Sequence, residues 1–396
     1  MAKIRIERVP VKKFFLGYLG FDHLQLAFEP DSTTGIAVPQ DEWYVMEGLR
    51  VPTADGVKLG VLGDNGRMLM RIANGGVTGD ALVAEIGTPE TRGSNVLTTQ
   101  NAQDTWNRMA LHAANVNDQI FNYNAYGMAS SLTPTLNSSS FIASVLHAGG
   151  FDVESSLPHN LRFSPGLETL LGSLGDDQLQ IQKQFTALFG GMGIDLLQGM
   201  DDPSRIDRMY GGGDDDLFSW SQGKNYLHGG DSSWSYKDDG IDTVNYSGAG
   251  PVHIDLNPAW VEHLVPQYFA TFDSGSDYLL SIERLVWNSD STDSISVGPG
   301  LQLIENSISI ILGSEGGEGE AADPKGDTLD LSEVSSGVIV TQTTPTAHFV
   351  TAPGQVGDGG IWVDSAEWLI ASSSDDRIYG GSSLKGYAEL ALGHDS

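Results

Sequence analysis

The stretch YGGGDDDLFSW, residues 210–220, sets three glycines directly before three aspartates and an apolar pair. Extended back to residue 207 it reads DRMYGGGDDDLFS, in which Asp207 and Asp216 are nine apart, as are Met209 and Phe218. That is the frame G-G-x-G-x-D-x-U-x, where U is a large apolar residue and Asp214 stands in the fourth, usually glycine, slot. Glycine adopts left-handed turn conformations without penalty and leaves its carbonyl free to point at an ion. The aspartate offers a hard carboxylate oxygen, the donor calcium takes. The U residue then opens a short strand whose side chain enters the core. An acidic triplet alone reads as a solvated loop; within this frame it reads as a turn that holds a cation.

The rest of the composition agrees. The 396 residues carry 52 acidic against 21 basic side chains, a net charge of -31, yet only 18% are charged and 40% are hydrophobic. The chain is therefore a folding one, acidic through a shortage of Lys and Arg. So negative a surface repels phosphate backbones and anionic membranes, which argues against nucleic-acid binding and favours cations. There is no cysteine, which excludes disulfides, zinc–thiolate sites and a thiol nucleophile. The N-terminal MAKIRIERVPVKKFFLGYLGF lacks the sustained apolar core and small-residue cleavage site of a signal peptide. No segment reaches the roughly 18 apolar residues of a membrane span.

Residues 1–75 hold strand-like runs (IRIERV, FDHLQLAF, EWYVMEGL, GRMLMRIA) bounded by turn residues. Residues 102–122 turn helical, with Trp106, Met109, Ala110, Ala113 and Val116 at helical spacing. A second helix is expected from Asn137, a good N-cap, to the stop at Gly149-Gly150. Residues 165–200 read as one or two amphipathic helices. The expected organisation is an α+β domain over 1–155, a helical connector over 156–205 and an all-β region over 206–396. Within the last, IDTVNYS (241–247) recurs as GDTLDLS (326–332), 85 residues on, and SIERLVW (281–287) recurs as SAEWLIA (365–371), 84 on. Two copies of one module, about 238–300 and 326–386, account for both matches.

Residues 206–390 resemble the repeats-in-toxin family. Besides residues 207–219, imperfect echoes stand at DDGIDTV (238–244), DSTDSI (290–295) and SSSDDRIYGG, where Leu369 and Ile378 keep the nine-residue spacing. The resemblance implies a parallel β-roll with Ca²⁺ in its turns, held by Gly211, Gly213, Asp214 and Asp216, by Asp239 and Asp242, and by Asp376. For Asp376 and Asp293 a metal-free surface turn stands equally open. The resemblance further implies export by type I secretion machinery from a Gram-negative bacterium, through an uncleaved C-terminal signal. Sites of this extracellular kind bind at about 10⁻⁴–10⁻³ M, so calcium would complete folding outside the cell.

In the first domain there is no HExxH, no GxSxG and no phosphate-binding glycine loop. One constellation remains: His23 in the strand-like FDHLQLAF, and Ser138 at a helix start in LNSSSF. A nucleophile there would gain from the helix dipole and from N–H groups for an oxyanion. This order is similar to circularly permuted papain-like hydrolases of the NlpC type, including relatives of lecithin–retinol acyltransferase. They carry N-C-E-H-F where this chain has Asn137-Ser138-Ser139-Ser140-Phe141, with serine in place of the cysteine. Asp22, Gln25, Tyr44 and Glu47 are candidates to orient His23. The competing reading makes Asn137 an N-cap with polar first-turn serines, His23 a strand histidine, and His112 a packing or surface residue. Function is accordingly expected to be that of a secreted calcium-binding protein that hydrolyses amide or ester bonds in a cell-surface or polymer substrate. The alternative is a non-enzymatic adhesin or surface-layer protein.

Overall fold

The computed structural model describes residues 2–10, 22–29, 42–53, 56–62, 70–72, 94–119, 121, 136–159, 161, 164–230, 240–249, 252–259, 267–287, 294–296, 308–312, 328–332, 334, 338–342, 348–351, 361–364, 368–372, 374–379 and 387–389. Over these the protein is mostly β, with few helices, several sheets and no closed barrel. The chain divides into two compact units, one comprising Met1–Asp177 with Ile181–Met192 and Ser233–Tyr236, the other the remainder.

The first unit opens with a six-stranded sheet of β1 (Lys3–Pro10), β2 (Asp22–Glu29), β3 (Glu42–Thr53), β4 (Gly56–Leu62), β5 (Met70–Ile72) and β6 (Ser94–Leu97). Its order is β4-β3-β2-β1-β6, with β5 on β3, and its pairings are antiparallel. The period-2 pattern sends Ile4, Ile6, Leu24, Leu26 and Phe28 to the buried face. Helix α1 (Ala102–Asp118) is capped by Asn101 and buries Trp106, Met109, Ala110, Ala113 and Val116, the stripe expected from their spacing. Trp106 stacks on Phe28 with centroids 5.3 Å apart. Helix α2 (Ser138–Ala148) starts at its Asn137 cap and ends at Gly149-Gly150, where Gly150 takes φ +83°. A short α3 (Val153–Ser156) follows.

Residues 165–200 form strands, which corrects the expected helical connector. They supply β7 (Thr169–Leu171), β8 (Gln178–Gln180), β9 (Ala187–Met192) and β10 (Leu196–Gln198). Leu170, Leu179, Leu188 and Leu197 recur every nine residues. Nine residues is two and a half helical turns, which would put successive leucines on opposite faces of a helix, so this recurrence favours a winding over a helix. In space it is one strand plus one turn. Leu170 pairs with Leu188 in the first unit, and Leu179 with Leu197 in the second, each in parallel register.

The second unit continues with β11 (Ile206–Gly213), β12 (Leu217–Ser219), β13 (Gly223–His228), β14 (Thr243–Asn245), β15 (Val252–Ala259), β16 (Gln267–Phe272), β17 (Gly275–Leu280) and β18 (Arg284–Trp287). It closes with β19 (Ser294–Ser296), β20 (Ile308–Leu312), β21 (Thr328–Asp330), β22 (Ile339–Gln342), β23 (His348–Thr351), β24 (Ile361–Asp364), β25 (Trp368–Ile370), β26 (Arg377–Tyr379) and β27 (Tyr387–Glu389). One sheet runs β26-β22-β23-β24-β20-β18-β14-β12-β10-β8 and the other β27-β25-β21-β19-β15-β16-β17-β13-β11. Outside the runs β15–β17 and β22–β24, consecutive strands alternate between the two sheets, and most neighbours within a sheet are parallel. The U residues line up: Leu197, Phe218, Val244 and Leu285 are successive register partners, each at most 1% exposed.

One strand arrangement occurs twice in this unit. β14 and β18 pair in parallel with Thr243 opposite Arg284, and β21 and β25 do the same with Thr328 opposite Trp368. Between each pair lies a three-stranded antiparallel meander, β15-β16-β17 in the first copy and β22-β23-β24 in the second. The copies exchange sheets. The first meander lies in the sheet that holds the second copy's flanking strands, and conversely.

Candidate metal centre

Among the described residues, carboxylates stand where the second unit's chain enters the sheet of β10, β12, β14 and β18: Asp195 before β10, Asp216 before β12, Asp242 before β14 and Glu283 before β18. Asp195, Asp216 and Asp242 are buried, at most 1% exposed. Each donates its backbone N–H to the carboxylate of the next rung. Asp195 N–H reaches Asp216 Oδ1, Asp216 N–H reaches Asp242 Oδ1 and Asp242 N–H reaches Glu283 Oε2, all at 2.9 Å. The result is a ladder of acids spaced by the strand separation, about 4.8 Å. Like charges so close and so buried repel unless a cation lies between them.

The glycines set where those carboxylates point. A Cβ built on Gly211 would lie 2.1 Å from Asp216 Oδ2 and 2.7 Å from the Gly229 carbonyl oxygen. One on Gly229 would lie 2.0 Å from both Asp242 Oδ2 and the Ser281 carbonyl. In the first unit, one on Gly172 would lie 2.0 Å from the Gly190 carbonyl and 2.8 Å from Asp177 Oδ2. Three times, then, a missing methyl lets a carboxylate and a carbonyl oxygen approach one point. Oxygen acceptors gathered this way are the donor set of a hard cation. The residues fit calcium. Among the described residues no three Asp, Glu or His side chains converge, so a cation here would draw on carbonyls as well as carboxylates.

The turn itself departs from the all-glycine frame. Asp214 occupies the fourth slot at φ +74°, where Gly193 of the preceding turn has φ +100°. Gly191 and Gly212, both second-slot residues, sit at +115° and +128°. Asp214 compensates for its strained backbone by accepting the Gly193 N–H on Oδ2 at 3.1 Å. Gly213 is buried at the end of β11. Asp215 is exposed and accepts the Ile241 N–H at 2.8 Å, tying this turn to the next.

Other sequence-expected ligands fare differently. Asp239 lies outside the described residues. Asp376 is buried, but its Oδ1 accepts from the Ser372 hydroxyl at 2.6 Å and the Val338 N–H at 2.8 Å. Two protein donors meet Oδ1 there, against one at Asp216. The opposite crossings show the same substitution. Asp207, Asn225 and Asp277 are buried register partners in three adjacent strands. Asp207 receives Arg205 Nε at 3.3 Å and Met200 N–H at 2.9 Å. Asn225 Nδ2 donates to Asp277 Oδ1 at 2.8 Å. Burial pushes the Asp277 carboxyl up to about 7, opposed by Asn225 and by the Tyr246 phenol beside it.

Two groups went unread in the sequence. Residues 190–198, GGMGIDLLQ, match the frame at every slot, and residues 172–180, GSLGDDQLQ, match all but one. The full glycine triplet of the former was the signal. The other is Gln119, the buried C-cap of α1, whose Nε2 donates to the Gly172 carbonyl at 3.3 Å and whose Oε1 lies 2.4 Å from a Cβ built on Gly191. A lone glutamine after a helix carries no such signal.

At the other expected site, Ser138 is the first residue of α2 and 9% exposed. The Asn137 Oδ1 accepts the N–H of Ser139 at 2.7 Å and of Ser140 at 3.3 Å, and Ser140 Oγ accepts the Asn137 N–H at 3.3 Å. This capping box occupies N–H groups that an oxyanion at this helix start would use. His23 lies in β2 opposite Val9 of β1; its side chain lies outside the described residues, as do those of Asp22 and Tyr44. Gln25 donates to Glu7 at 2.7 Å and Glu47 is buried. His112 is packed within the first unit, where burial, with His147 adding, lowers its imidazole to about 4. Comparison with known proteins finds no matching family model, no matching curated protein and no matching solved structure.

Proposed function

We propose that this chain is a secreted calcium-binding protein of the repeats-in-toxin type, and that it works as a calcium-stabilised extracellular binding protein. The observation that carries this reading is the threefold convergence of a carboxylate and a carbonyl oxygen at Gly172, Gly211 and Gly229, beside a ladder of buried acids. Strands alternating between two sheets, in parallel register with their neighbours, support a parallel β-roll as the second unit's architecture. Calcium, when bound, supplies the positive charge that neutralises the ladder and ties successive turns together. Asp216 and Asp242 hold it through Oδ2, with the Gly229 and Ser281 carbonyls. A protein so dense in carboxylates folds poorly where calcium is scarce, which favours folding after export; the type I route rests on the resemblance. A binding role is favoured over a hydrolase because the Asn137–Ser140 capping box already engages the start of α2.

The test is circular dichroism and calorimetric titration of the full chain. In chelator the β signal should fall, and millimolar calcium should restore it with saturable heat. Equal spectra in both conditions would sink the reading.

A further inference from the structure

The outward face of the β11–β13–β17–β16 strands carries a row that the metal reading leaves unused. Arg208, Tyr226, Tyr278 and Phe269 are successive register partners across these four strands. Their neighbours Asp207, Met209, Leu227 and Leu279 point inward and are buried, while the row itself is half-buried. Tyr226 and Tyr278 stack with centroids 4.8 Å apart and planes 13° apart, and Phe269 meets Tyr278 at 4.8 Å. Lys224, one pleat along, places Nζ 4.8 Å from the Tyr278 ring and 5.8 Å from Tyr226; the Arg208 guanidinium lies 5.8 Å from Tyr226 on the other side. A chain with only 21 cationic residues against 52 acidic ones thus sets two cations around one aromatic stack.

The second module repeats the exposed aromatic, without the cations. Trp362 stands 84 residues after Tyr278, opposite Phe349 as Tyr278 stands opposite Phe269, and is 42% exposed. An aromatic kept on the solvent face in both copies is not needed by the core. Aromatic rings flanked by cations, on a surface that otherwise repels anions, fit a ligand that joins apolar C–H faces to negative charge. We propose that the two meanders are binding faces for an acidic polysaccharide, its sugar rings lying on Tyr278 and Trp362 and its carboxylates or sulfates meeting Lys224 and Arg208. The inference uses the strand register alone and stands whether or not the turns hold calcium.

The test is calorimetric titration of the full chain, in constant millimolar calcium, with hexagalacturonate and with a heparin hexasaccharide, against neutral maltohexaose and an oligothymidylate. At least one acidic sugar should bind, maltohexaose should not, and raising salt should weaken the complex. Lys224→Glu and Tyr278→Ala should each lower affinity about tenfold or more, while Trp362→Ala should remove one of two sites. Lys224 is a surface position, so Lys224→Glu remains informative should Tyr278→Ala misfold. The proposal is overturned if neither acidic sugar binds, if Lys224→Glu binds as the parent does, or if oligothymidylate binds equally well, which would show bare charge attraction.

Discussion

The backbone N–H of Asp195 donates to the carboxylate of Asp216 at 2.9 Å, although 21 residues separate them. Asp216 and Asp242 are therefore each fixed by the rung before, while the second oxygen of each is aimed by the glycine that makes room for it. The consequences can be measured one residue at a time.

Gly211→Ala should be destabilising by about 1–3 kcal/mol, since the new methyl would meet Asp216 Oδ2 at 2.1 Å in a packed turn. Gly175→Ala is the matched control: a Cβ there meets nothing within 4 Å. Urea unfolding in saturating calcium should separate the two, with a change within about 0.5 kcal/mol at Gly175.

Asp214→Val should cost on the order of 1–2 kcal/mol, because a β-branched residue must be forced to φ +74°. Asp214→Gly removes that strain together with the bond to Gly193, so it should cost less than the valine variant. Equal losses in urea melts would place the importance of this residue in its side chain rather than its backbone.

Asp216→Asn and Asp376→Asn should part company. The first removes a charge from the acceptor-rich turn and should weaken calcium-dependent folding at least tenfold in calcium midpoint. The second alters a carboxylate whose Oδ1 is already held by Ser372 and Val338 and should leave that midpoint unchanged. Calcium titrations followed by circular dichroism decide this.

The two units should respond to pH in opposite senses. The folded Asp277 carboxyl lies near 7, above its unfolded value of about 3.9. Its contribution is therefore fully present below pH 4 and lost as pH rises toward 7. His112 is lowered from 6.5 to about 4, so its contribution is present above 6.5 and lost as pH falls toward 4. Peptide-resolved hydrogen exchange should show the second unit loosening between pH 4 and 7, a trend abolished by Asp277→Asn. The first unit should tighten over the same range, unless His112 is replaced by Gln.

Ser138 should resist fluorophosphonate labelling in calcium, as expected of a helix start closed by its own cap. Labelling that disappears in both Ser138→Ala and His23→Ala would restore the hydrolase.

Much of this architecture was legible in advance because local physics dictated it. The Asn137 cap, the Gly149-Gly150 stop and the Trp106–Val116 stripe are short-range signals, and the structure honours each. The nine-residue spacing of Met209 and Phe218 was legible for the same reason: both are buried. What escaped was the start of the winding. Leucines nine apart alternate sides of a helix and share one side only in a strand-plus-turn repeat, and the triple glycine of residues 190–198 marks that same repeat. Which aspartates face acceptors and which face donors was not legible either. Asp216 and Asp376 share the same D-x-U setting, and the difference lies in Ser372 standing where the frame places glycine.

The exchange of sheets between the two modules bears on how such a gene can change length. From β14 to its counterpart β21 the chain makes an odd number of crossings, so β21 falls in the opposite sheet from β14. Recombination that adds or deletes one module would invert the facing of everything downstream, moving acids away from their ladder and the exposed aromatics to the other side. Only paired gains or losses preserve the phase. The reading frame of this protein is thus kept twice, once in codons and once in half-turns.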